Sequence, residues 1–594
     1  HIFPPSINGT PHHIMVTPLL LCVILGVVSS HQSELPPSFL GLIRTHREPV
    51  SDDEDSNTDL RSTGAVLTAS PNEFIDTGED ITVEWINVPA PDSYDWIGMY
   101  CGRESGVSPN NVLDWMYVND LSTNGSVIFR NLINMRCKYF FRYYRDISSG
   151  EYALIAESNE ISPIKGTNTP MHGRLSLTDN LDEMQVTWTS NSQLQTFQEV
   201  RYSKDCVEFP TAFVTAVNHS APTTYNAEDM CGSPANVTYQ YLYRPVGYFH
   251  TVLLADLAPD TLYCYQYGNA IDGFSDVFSF RTPGGVGKEI GVKFVAYGDM
   301  GVSASNGATS TALRVSQELG DTDFLLHFGD ISYARGYGYI WEQFHYMIEP
   351  LSTRLPYMVS VGNHEYDHIS GGWKDPSNAT GTGFHPAWGN YGDDSSGECS
   401  VPVYHRFRSP SNGKGVYWYS FDYGNIHVVQ ISSEHDYTYD SEQWKWLDRD
   451  LGATDRTITP FIVVTSHRPM YNSENYASDY EVSLHLREAL EPLLDIYKVD
   501  VFLAGHYHSY ERTCSVYNEE CFELSDVRGT VHITVGSAGA SLDSAAWMNK
   551  PWHSYGAYEF GYLRVSTNEV AMTLQYVRNE DGSVADSITL PSRF

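Results

Sequence analysis

The chain has 594 residues with 41% hydrophobic and 13% aromatic content, so it is long enough to form three or four domains, each with its own core. Its formal net charge of −37 argues against nucleic acid or an anionic membrane surface as a partner, because both attract clustered Lys and Arg. Solubility is the simplest explanation of this charge.

The N-terminal stretch has a targeting pattern followed by an acidic segment. Residues 15–30, MVTPLLLCVILGVVSS, form a short apolar run that ends in small residues, which predicts a secretory signal peptide cleaved after Ser30. Residues 1–14 then lie upstream of the true start at Met15. Residues 31–63 are acidic and poor in apolar positions, which predicts a disordered linker. No later run is long and apolar enough for a membrane span, so we expect a secreted protein, extracellular or vacuolar.

The cysteines suit an oxidising compartment. Nine cysteines fall to eight if Cys22 leaves with the signal peptide, and an even number suits a disulfide set. Their spacing suggests the local pairs Cys101–Cys137, Cys206–Cys231 and Cys514–Cys521, whereas Cys264 and Cys399 have no obvious partner. The sequence has no C-x-x-C motif, so a thiolate zinc site is not expected. Sequons of the N-x-[ST] type, which support secretion as a set, begin at Asn124, Asn218, Asn236 and Asn378.

Two consecutive blocks, 64–165 and 166–284, consist of short alternating segments broken by Gly, Pro, Asn and Asp, which predicts two β-sandwiches. In the second block, Trp188 lies on an early strand, and the segment LAPDTLYCYQYG around Tyr263 resembles the corner before a late strand of fibronectin type III domains. The first block, with Trp85, matches that pattern more loosely. We expect both to be spacer or docking modules without chemistry of their own.

From residue 285 to residue 594 the pattern changes to apolar runs that alternate with helix-like segments, which predicts an α/β domain. Buried strands are predicted at VKFVAYGD, DFLLHFGD, PYMVSVGN, NIHVVQIS, PFIVVTSH and VDVFLAGH. Helices are predicted at TSTALRVSQEL, IWEQFHYMI and SEQWKWLDRDL, the last with Asp440 as N-cap and Gln443 three residues on. The runs TVHITVGS and EVAMTLQYV would extend a second sheet, giving two packed sheets flanked by helices.

Five short polar motifs each follow a predicted strand. They are Gly298-Asp299-Met300-Gly301, Gly329-Asp330-Ile331-Ser332-Tyr333, Gly362-Asn363-His364-Glu365, Thr465-Ser466-His467 and Gly505-His506-Tyr507-His508. Because ligands bind at the carboxyl edge of the strands in open α/β sheets, we expect these side chains to converge. Two Asp, an Asn, a Tyr and three His could hold two metal ions if one carboxylate bridges, and such donors suit iron, manganese or zinc.

The motif order GDMG, GDISY, GNHE, TSH and GHYH resembles that of the metallophosphoesterases and, within them, the purple acid phosphatases. The general superfamily pattern has a histidine where Gly301 stands, whereas this chain offers a phenol at Tyr333. The phrases GDISYARGY, GNHEYD and HRPMY look most like larger plant-type members, which carry an extra N-terminal sandwich.

The resemblance implies a particular set of metal ligands. A ferric ion would be held by Asp299, Tyr333 and His508, with Asp330 bridging to a second ion. That second ion, which is zinc, manganese or ferrous iron, would be held by Asn363, His467 and His506. A phenolate bound to ferric iron would also give the protein a charge-transfer colour.

The implied activity is hydrolysis of a small phosphorylated substrate by a metal-activated water, with two ions roughly 3.5–4 Å apart. His364 would contact the phosphate or protonate the leaving group, or it would only hydrogen-bond to its surroundings. The residues expected to bind substrate are Asn363, His364, Arg335 and Tyr471.

One position departs from the plant pattern. Those enzymes carry a second histidine about ten residues after the equivalent of His467, and this chain has Ala477 there. A missing proton donor leaves the acid catalyst open, with Arg335, His364, Tyr471 and Glu474 as candidates. The other histidines, including His345, His385, His405 and His427, are expected to be structural.

Three functions compete. The first is an acid phosphatase acting on monoesters or phosphoanhydrides, and the second is a phosphodiesterase or nucleotide pyrophosphatase, which the change at Ala477 favours. The third is a non-catalytic cell-surface binding protein, which should have lost at least one metal ligand. A homodimer is compatible with the sequence.

Overall fold

The computed structural model describes residues 64–75, 77–102, 112–118, 121–148, 151–193, 198–217, 221–237, 245–302, 307–369, 372–380 and 383–594. The predicted signal peptide, the acidic linker and the sequon at Asn218 lie outside the described residues. Within the described ranges, no helix combines the length and the apolar character needed to cross a bilayer.

The first block forms two sheets that pack face to face. Its strands are β1 (Val66–Ser70), β2 (Glu73–Phe74), β3 (Ile81–Ile86), β4 (Trp96–Cys101), β5 (Asp114–Tyr117), β6 (Gly125–Phe129), β7 (Tyr139–Ser148), β8 (Glu151–Glu157) and β9 (Ser162–Pro163). One sheet has the order β1-β3-β6, the other β5-β4-β7-β8, and β2 pairs with β9. Alternate residues of β3 point inward, and Trp85 of that strand contacts Tyr143 of the opposite sheet with ring centroids 5.9 Å apart.

The second block is also built from two sheets. Its strands are β10 (Met171–Ser176), β11 (Met184–Ser190), β12 (Glu199–Ser203), β13 (Val214–Val217), β14 (Tyr248–Leu254), β15 (Leu262–Asn269), β16 (Gly273–Phe274) and β17 (Phe278–Arg281). Their orders are β10-β11-β14 and β13-β12-β15-β16, with β17 on β15. Trp188 is buried between His250 and Tyr267, at 5.4 Å from each ring. The Tyr263 hydroxyl accepts a hydrogen bond from the Ala258 amide at 2.9 Å, but the likeness to fibronectin type III stays a prediction.

The remaining strands and helices follow in chain order. They are β18 (Lys293–Tyr297), α1 (Ala308–Ser316), β19 (Phe324–Phe328), α2 (Gly338–Ser352), β20 (Tyr357–Ser360), α3 (Val401–Arg406), β21 (Tyr419–Tyr423), β22 (Ile426–Gln430), α4 (Glu442–Ala453), β23 (Phe461–Thr465), α5 (Ala477–Ile496), β24 (Val501–Ala504), β25 (Tyr510–Tyr517), β26 (Glu520–Phe522), β27 (Thr530–Val535), β28 (His553–Ala557), β29 (Gly561–Thr567), β30 (Ala571–Arg578) and β31 (Val584–Pro591). Short 3-10 helices cover Ala227–Asp229, Leu319–Asp321 and Gly372–Lys374.

These elements form the predicted pair of sheets. One has the order β20-β19-β18-β29-β30-β31 and the other β21-β22-β23-β24-β27-β25-β26, with β28 on β25. Strands β18, β19 and β20 are parallel, as are β22, β23, β24 and β27, and they are buried apolar runs because both faces are covered. The run TVHITVGS joins the second sheet as predicted. The run EVAMTLQYV does not, because β30 pairs with β29 beside β18.

The start of α4 differs from the prediction by one residue. Ser441 is the N-cap, and its hydroxyl accepts the Trp444 amide at 3.1 Å. Asp440 is left-handed, with φ 69°, and forms an ion pair with Lys445 at 2.9 Å. The Gln443 side chain bonds to Ser432 in the interior and does not reach back to the cap.

The disulfides are Cys101–Cys137, Cys206–Cys264, Cys231–Cys399 and Cys514–Cys521. The predicted pair Cys206–Cys231 is therefore wrong. Cys264 lies opposite Ser203 in the pairing of β12 with β15, close to Cys206. The loop before Cys399 packs on Cys231, whose amide bonds to the Gly397 carbonyl at 2.8 Å. Pairing each cysteine with its nearest neighbour in sequence gives the wrong result here, because Cys206–Cys264 and Cys231–Cys399 both depend on tertiary contacts.

Candidate metal centre

Five loops at the carboxyl ends of parallel strands meet in one place. Strands β18, β19 and β20 of the first sheet and β23 and β24 of the second are each followed by one of the polar motifs. Backbone hydrogen bonds connect neighbouring loops, from the Asp299 amide to the Gly329 carbonyl at 3.2 Å and from the Gly505 amide to the His467 carbonyl at 2.9 Å. The geometry of the two sheets therefore carries the motifs together.

One half of the centre contains the predicted ferric ligands. The Tyr333 hydroxyl lies 3.2 Å from Asp299 Oδ1 and 2.9 Å from His508 Nε2. His508 Nε2 is in turn 3.4 Å from Asp299 Oδ1. A carboxylate, a phenol and an imidazole thus point three potential donor atoms at one small volume.

The other half contains the predicted ligands of the second ion. Asn363 Oδ1 lies 2.8 Å from His467 Nε2 and 3.0 Å from His506 Nδ1. Asp330 Oδ1 is 3.3 Å from His467 Nε2, and its carboxylate also interacts with the Tyr333 hydroxyl of the first half. Asp330 therefore touches both halves, as a bridging ligand must.

The chemistry of this donor set suits metal ions. Donor atoms of Asp299, Asp330 and His467 all lie within 4.8 Å of one another, and all three residues are buried. Burial lowers the pKa of His467, but Asp330 and Asp299 outweigh it and raise that pKa to about 10. The site therefore attracts cations strongly, and proton and metal compete for the same nitrogen.

The backbone at the centre is also unusual. Four of the seven donor residues have left-handed backbone: Asp299 at φ 60°, Asp330 at 50°, Tyr333 at 54° and His506 at 71°. Non-glycine residues adopt this region at a cost, and such residues gather at ligand sites where the surroundings hold them.

Two glycines make room for the carboxylates. A Cβ at Gly362 would lie 2.3 Å from Asp330 Oδ1, and a Cβ at Gly505 would lie 2.3 Å from Asp299 Oδ2. Both distances are far below van der Waals contact, so these positions accept only glycine without a local shift.

Three carboxylates around the donors hold them in place. The sequence alone does not predict this role for any of the three. Glu365, inside a quoted motif, accepts the amides of Asp330 and Ile331 at 2.8 Å and of Gly362 at 3.0 Å. Asp394 Oδ2 accepts the Asn363 side-chain amide at 3.0 Å. Asp479 Oδ1 lies 3.1 Å from His506 Nε2. The last two come from segments without a motif, so no local signal marked them.

His364 lies at the rim of the centre. Its Nδ1 donates to the Asp394 carbonyl at 3.0 Å, its Nε2 is 3.8 Å from Asp330 Oδ2, and its ring centroid is 4.4 Å from that of Tyr333. Burial lowers the pKa of His364 to about 4. Arg335 is exposed, and its charge is among the causes that lower this pKa, so it lies near the same rim.

Two other candidates lie elsewhere. Tyr471 is buried against His532 and Trp552, and its hydroxyl donates to Glu491, so its side chain lies in a separate cluster and its substrate-binding role stays a prediction. Glu474 is buried beside the histidine loop and accepts the Ser509 hydroxyl, and burial raises its pKa to about 8. No direct hydrogen bond between Glu474 and the seven donors is formed among the described residues. Position 477 is the first residue of α5.

Comparison with known families agrees with this architecture. The calcineurin-like phosphoesterase model matches residues 292–510, which hold all seven donors. The models for the purple acid phosphatase N-terminal domain and for the iron/zinc purple acid phosphatase-like protein C match residues 170–282 and 529–587. The fold and site thus define a calcineurin-like phosphoesterase.

Individual relatives indicate which family of calcineurin-like phosphoesterases this chain resembles. "Probable inactive purple acid phosphatase 9" of Arabidopsis thaliana is 32% identical, over 89% of this chain and 85% of its own. A "Nucleotide pyrophosphatase/phosphodiesterase" of Hordeum vulgare is 30% identical, over 56% of this chain and 93% of its own. The solved purple acid phosphatase PPD1 of yellow lupin superposes with a TM-score of 0.77 at 29% identity, covering 89% of this chain and 96% of its own. The chain belongs to the purple acid phosphatase family.

Proposed function

We propose that this protein is a secreted dinuclear-metal phosphohydrolase that cleaves phosphate monoesters or phosphoanhydrides. The observation that carries the proposal is that all seven donors of the family's motif pattern are present, on loops that follow five parallel strands and contact one another. A protein that had abandoned catalysis would be free to lose any of them.

The ligand assignment follows the two halves of the centre. Asp299, Tyr333 and His508 would hold ferric iron, because a phenolate is a hard anionic donor. Asn363, His467 and His506 would hold a divalent ion, zinc, manganese or iron, and Asp330 would bridge. The two ions, when bound, would polarise the phosphoryl oxygens and lower the pKa of a bound water.

The protein's own groups orient the substrate. The Nδ1–H of His364 is held by the Asp394 carbonyl, so Nε2 faces the centre, where it would donate to a phosphate oxygen or the leaving group only when the ring is protonated at both nitrogens. Asn363 has its amide nitrogen tied to Asp394, so its oxygen is presented to the two histidines. Arg335 at the rim would add positive charge for the anionic substrate.

Two alternatives have specific support. The barley relative is named a nucleotide pyrophosphatase/phosphodiesterase, and Ala477 removes a histidine that would protonate a poor leaving group. The Arabidopsis relative is named probable inactive, which supports a protein that binds and does not turn over. Measurements of bound metal and of the hydrolysis rates of a monoester and a diester distinguish these two alternatives from the main proposal.

The test compares initial rates on nitrophenyl phosphate and on the bis-nitrophenyl diester, with both metals loaded. We expect the monoester to react faster and Asp330→Asn to lower its rate by about 100-fold or more, because losing a bridging carboxylate removes several kcal/mol of transition-state stabilisation. The exposed Asp455→Asn is the matched control and should leave the rate unchanged. A faster diester reaction would favour the phosphodiesterase, and no turnover of either ester would reject catalysis.

Secretion is proposed on separate grounds. The four disulfides join described residues from both sandwiches and the phosphoesterase domain, as expected for an oxidising compartment. N-terminal sequencing of the mature protein should begin at His31, and retention of residues 15–30 would contradict the proposed cleavage.

A further inference from the structure

The first turn of α5 lies against one of the proposed metal ligands. Asp479 is the third residue of this helix, and its side chain is 16% exposed. Its Oδ1 lies 3.1 Å from Nε2 of His506, on the side of the imidazole that faces away from Asn363. The other ring nitrogen, Nδ1, is 3.0 Å from Asn363 Oδ1. The ring is therefore held at both nitrogens.

This geometry assigns a proton to Nε2 of His506. A carboxylate can only accept a hydrogen bond, so Nε2 of His506 carries the proton and donates it to Asp479. With a metal ion bound between Nδ1 and Asn363 Oδ1, Nδ1 would present its lone pair to that ion, whereas without the ion Nδ1 can also be protonated and donate to the amide oxygen. A carboxylate partner also makes the imidazole a stronger donor to a metal.

The carboxylate itself is held by further contacts. Asn390 Nδ2 lies 3.1 Å from Asp479 Oδ1, and Arg468 Nη1 lies 3.5 Å from it. Arg468 is buried, with its Nε 2.9 Å from Glu434, and that glutamate also contacts His368 at 2.9 Å. The Arg468 guanidinium stacks over the Tyr391 ring at 4.8 Å. Because Arg468 is buried and held by Glu434 and Tyr391, it restrains the Asp479 carboxylate beside the imidazole, and the exposed Asn390 adds one further hydrogen bond.

We propose that Asp479 is a positioning residue for the second metal ion, which it serves by fixing the orientation and tautomer of His506. This inference rests on the proposed function. It assigns the start of α5 a role in metal affinity, at a place where the chain has Ala477 and no histidine.

The test is a calorimetric titration of Zn²⁺ into protein that keeps its iron and has been depleted of the second ion. Asp479→Asn should weaken Zn²⁺ binding about 10-fold and Asp479→Ala about 10- to 100-fold, the range seen when partners of metal-bound histidines are removed. Asn390→Ala, which removes one support of the carboxylate, should give a smaller loss. Glu488→Gln, an exposed position on the same helix, should bind Zn²⁺ like the wild type.

Two further readouts distinguish positioning from general stability. The visible band of the iron site should persist in each variant, and the melting temperature in chelator should match the wild type. Equal Zn²⁺ affinity in the wild type, Asp479→Asn and Asp479→Ala would overturn the inference and leave the proposed function standing. A wild-type protein that takes up none of Zn²⁺, Mn²⁺ and Fe²⁺ in the same titration would overturn the proposed function, and this inference with it.

Discussion

At the scale of single residues, the metal centre depends on small side chains as much as on the donors. The donors approach one another closely because glycines precede Asp330, Asn363 and His506 in the loops. The pocket geometry would change if one of these glycines acquired a side chain.

Gly362→Ala should therefore reduce metal occupancy. Its Cβ would lie 2.3 Å from Asp330 Oδ1, so the carboxylate must move away from its observed place beside His467. We expect less than half of the wild-type metal content by elemental analysis after dialysis. Gly320→Ala is the control, because an added Cβ there meets nothing within 4 Å. Equal metal content in both variants would show that the loop relaxes without cost.

The donor residues could be predicted from the sequence, whereas most of their supports could not. All seven donors lie in motifs that directly follow apolar runs, and the strands bring them together. Asp394 and Asp479 lie in segments with no motif, and only tertiary packing places them beside Asn363 and His506. Tyr471 follows a motif closely in sequence, but its side chain points into a different cluster.

At the scale of secondary-structure elements, His427 connects two strands and a helix. It lies on β22, with Nδ1 2.7 Å from Asp422 of β21 and Nε2 3.0 Å from Asp450 of α4. Burial lowers the pKa of His427, but hydrogen bonds to Asp422 and Asp450 outweigh it and raise that pKa from 6.5 to about 9. The protonated ring therefore bridges two carboxylates.

This raised pKa predicts a pH-dependent stability. The contribution of His427 should be fully present below pH 6.5 and should be lost as the pH rises through about 9. The difference in unfolding free energy between the wild type and His427→Gln should shrink over that interval, measured by chemical denaturation at each pH. A difference that stays constant between pH 6 and about 9.5 would show that the histidine contributes by packing and not by charge.

The sequence predicts the type of each secondary-structure element more reliably than it predicts which strands pair with each other. Apolar runs bounded by turn residues identified the strands, because burial on both faces leaves a clear pattern. The same pattern does not say which neighbour a strand pairs with, so the sheet predicted for EVAMTLQYV is wrong. The predicted N-cap of α4 lies one residue before the observed one, because Asp and Ser are both good N-caps and the backbone conformation decides between them.

At the scale of the whole molecule, a buried ionic cluster joins the two sandwiches to the phosphoesterase domain. Arg136 of the first sandwich lies 2.6 Å from Glu342 of α2, and both side chains are 1% exposed. His172 of the second sandwich and Arg406 of α3 approach the same carboxylate at 3.5 and 3.6 Å. Burial raises the pKa of Glu342, but the guanidinium groups of Arg136 and Arg406 outweigh it and lower that pKa to about 2.

Arg136→Met should destabilise the protein substantially. Removing one partner of a buried ion pair leaves an uncompensated charge, which typically costs about 3–5 kcal/mol. Arg130→Met is the matched control, because its pair with Asp80 is 58% and 43% exposed and should contribute about 0–1 kcal/mol. Chemical denaturation of both variants measures the difference. Similar losses in the two would mean that the cluster does not hold the domains together.

The contacts between the sandwiches and the phosphoesterase domain cannot be predicted from the sequence. The change from alternating to continuous apolar runs marks where the sandwiches end, but it carries no information about docking. Cys231 and Cys399 are 168 residues apart and pair only because a loop of the phosphoesterase domain rests on the second sandwich. Glu342 lies in a helix and Arg136 in a loop, and neither has a local sequence feature that predicts their ion pair.

The most direct test of the central claim is elemental analysis of the purified protein together with its visible spectrum, for the wild type and for Tyr333→Phe. We predict iron and a second divalent ion in about equal amounts, with a visible band that Tyr333→Phe abolishes, since a metal bound by a phenolate gives the colour. A colourless wild-type protein without two bound ions would contradict the account of this site.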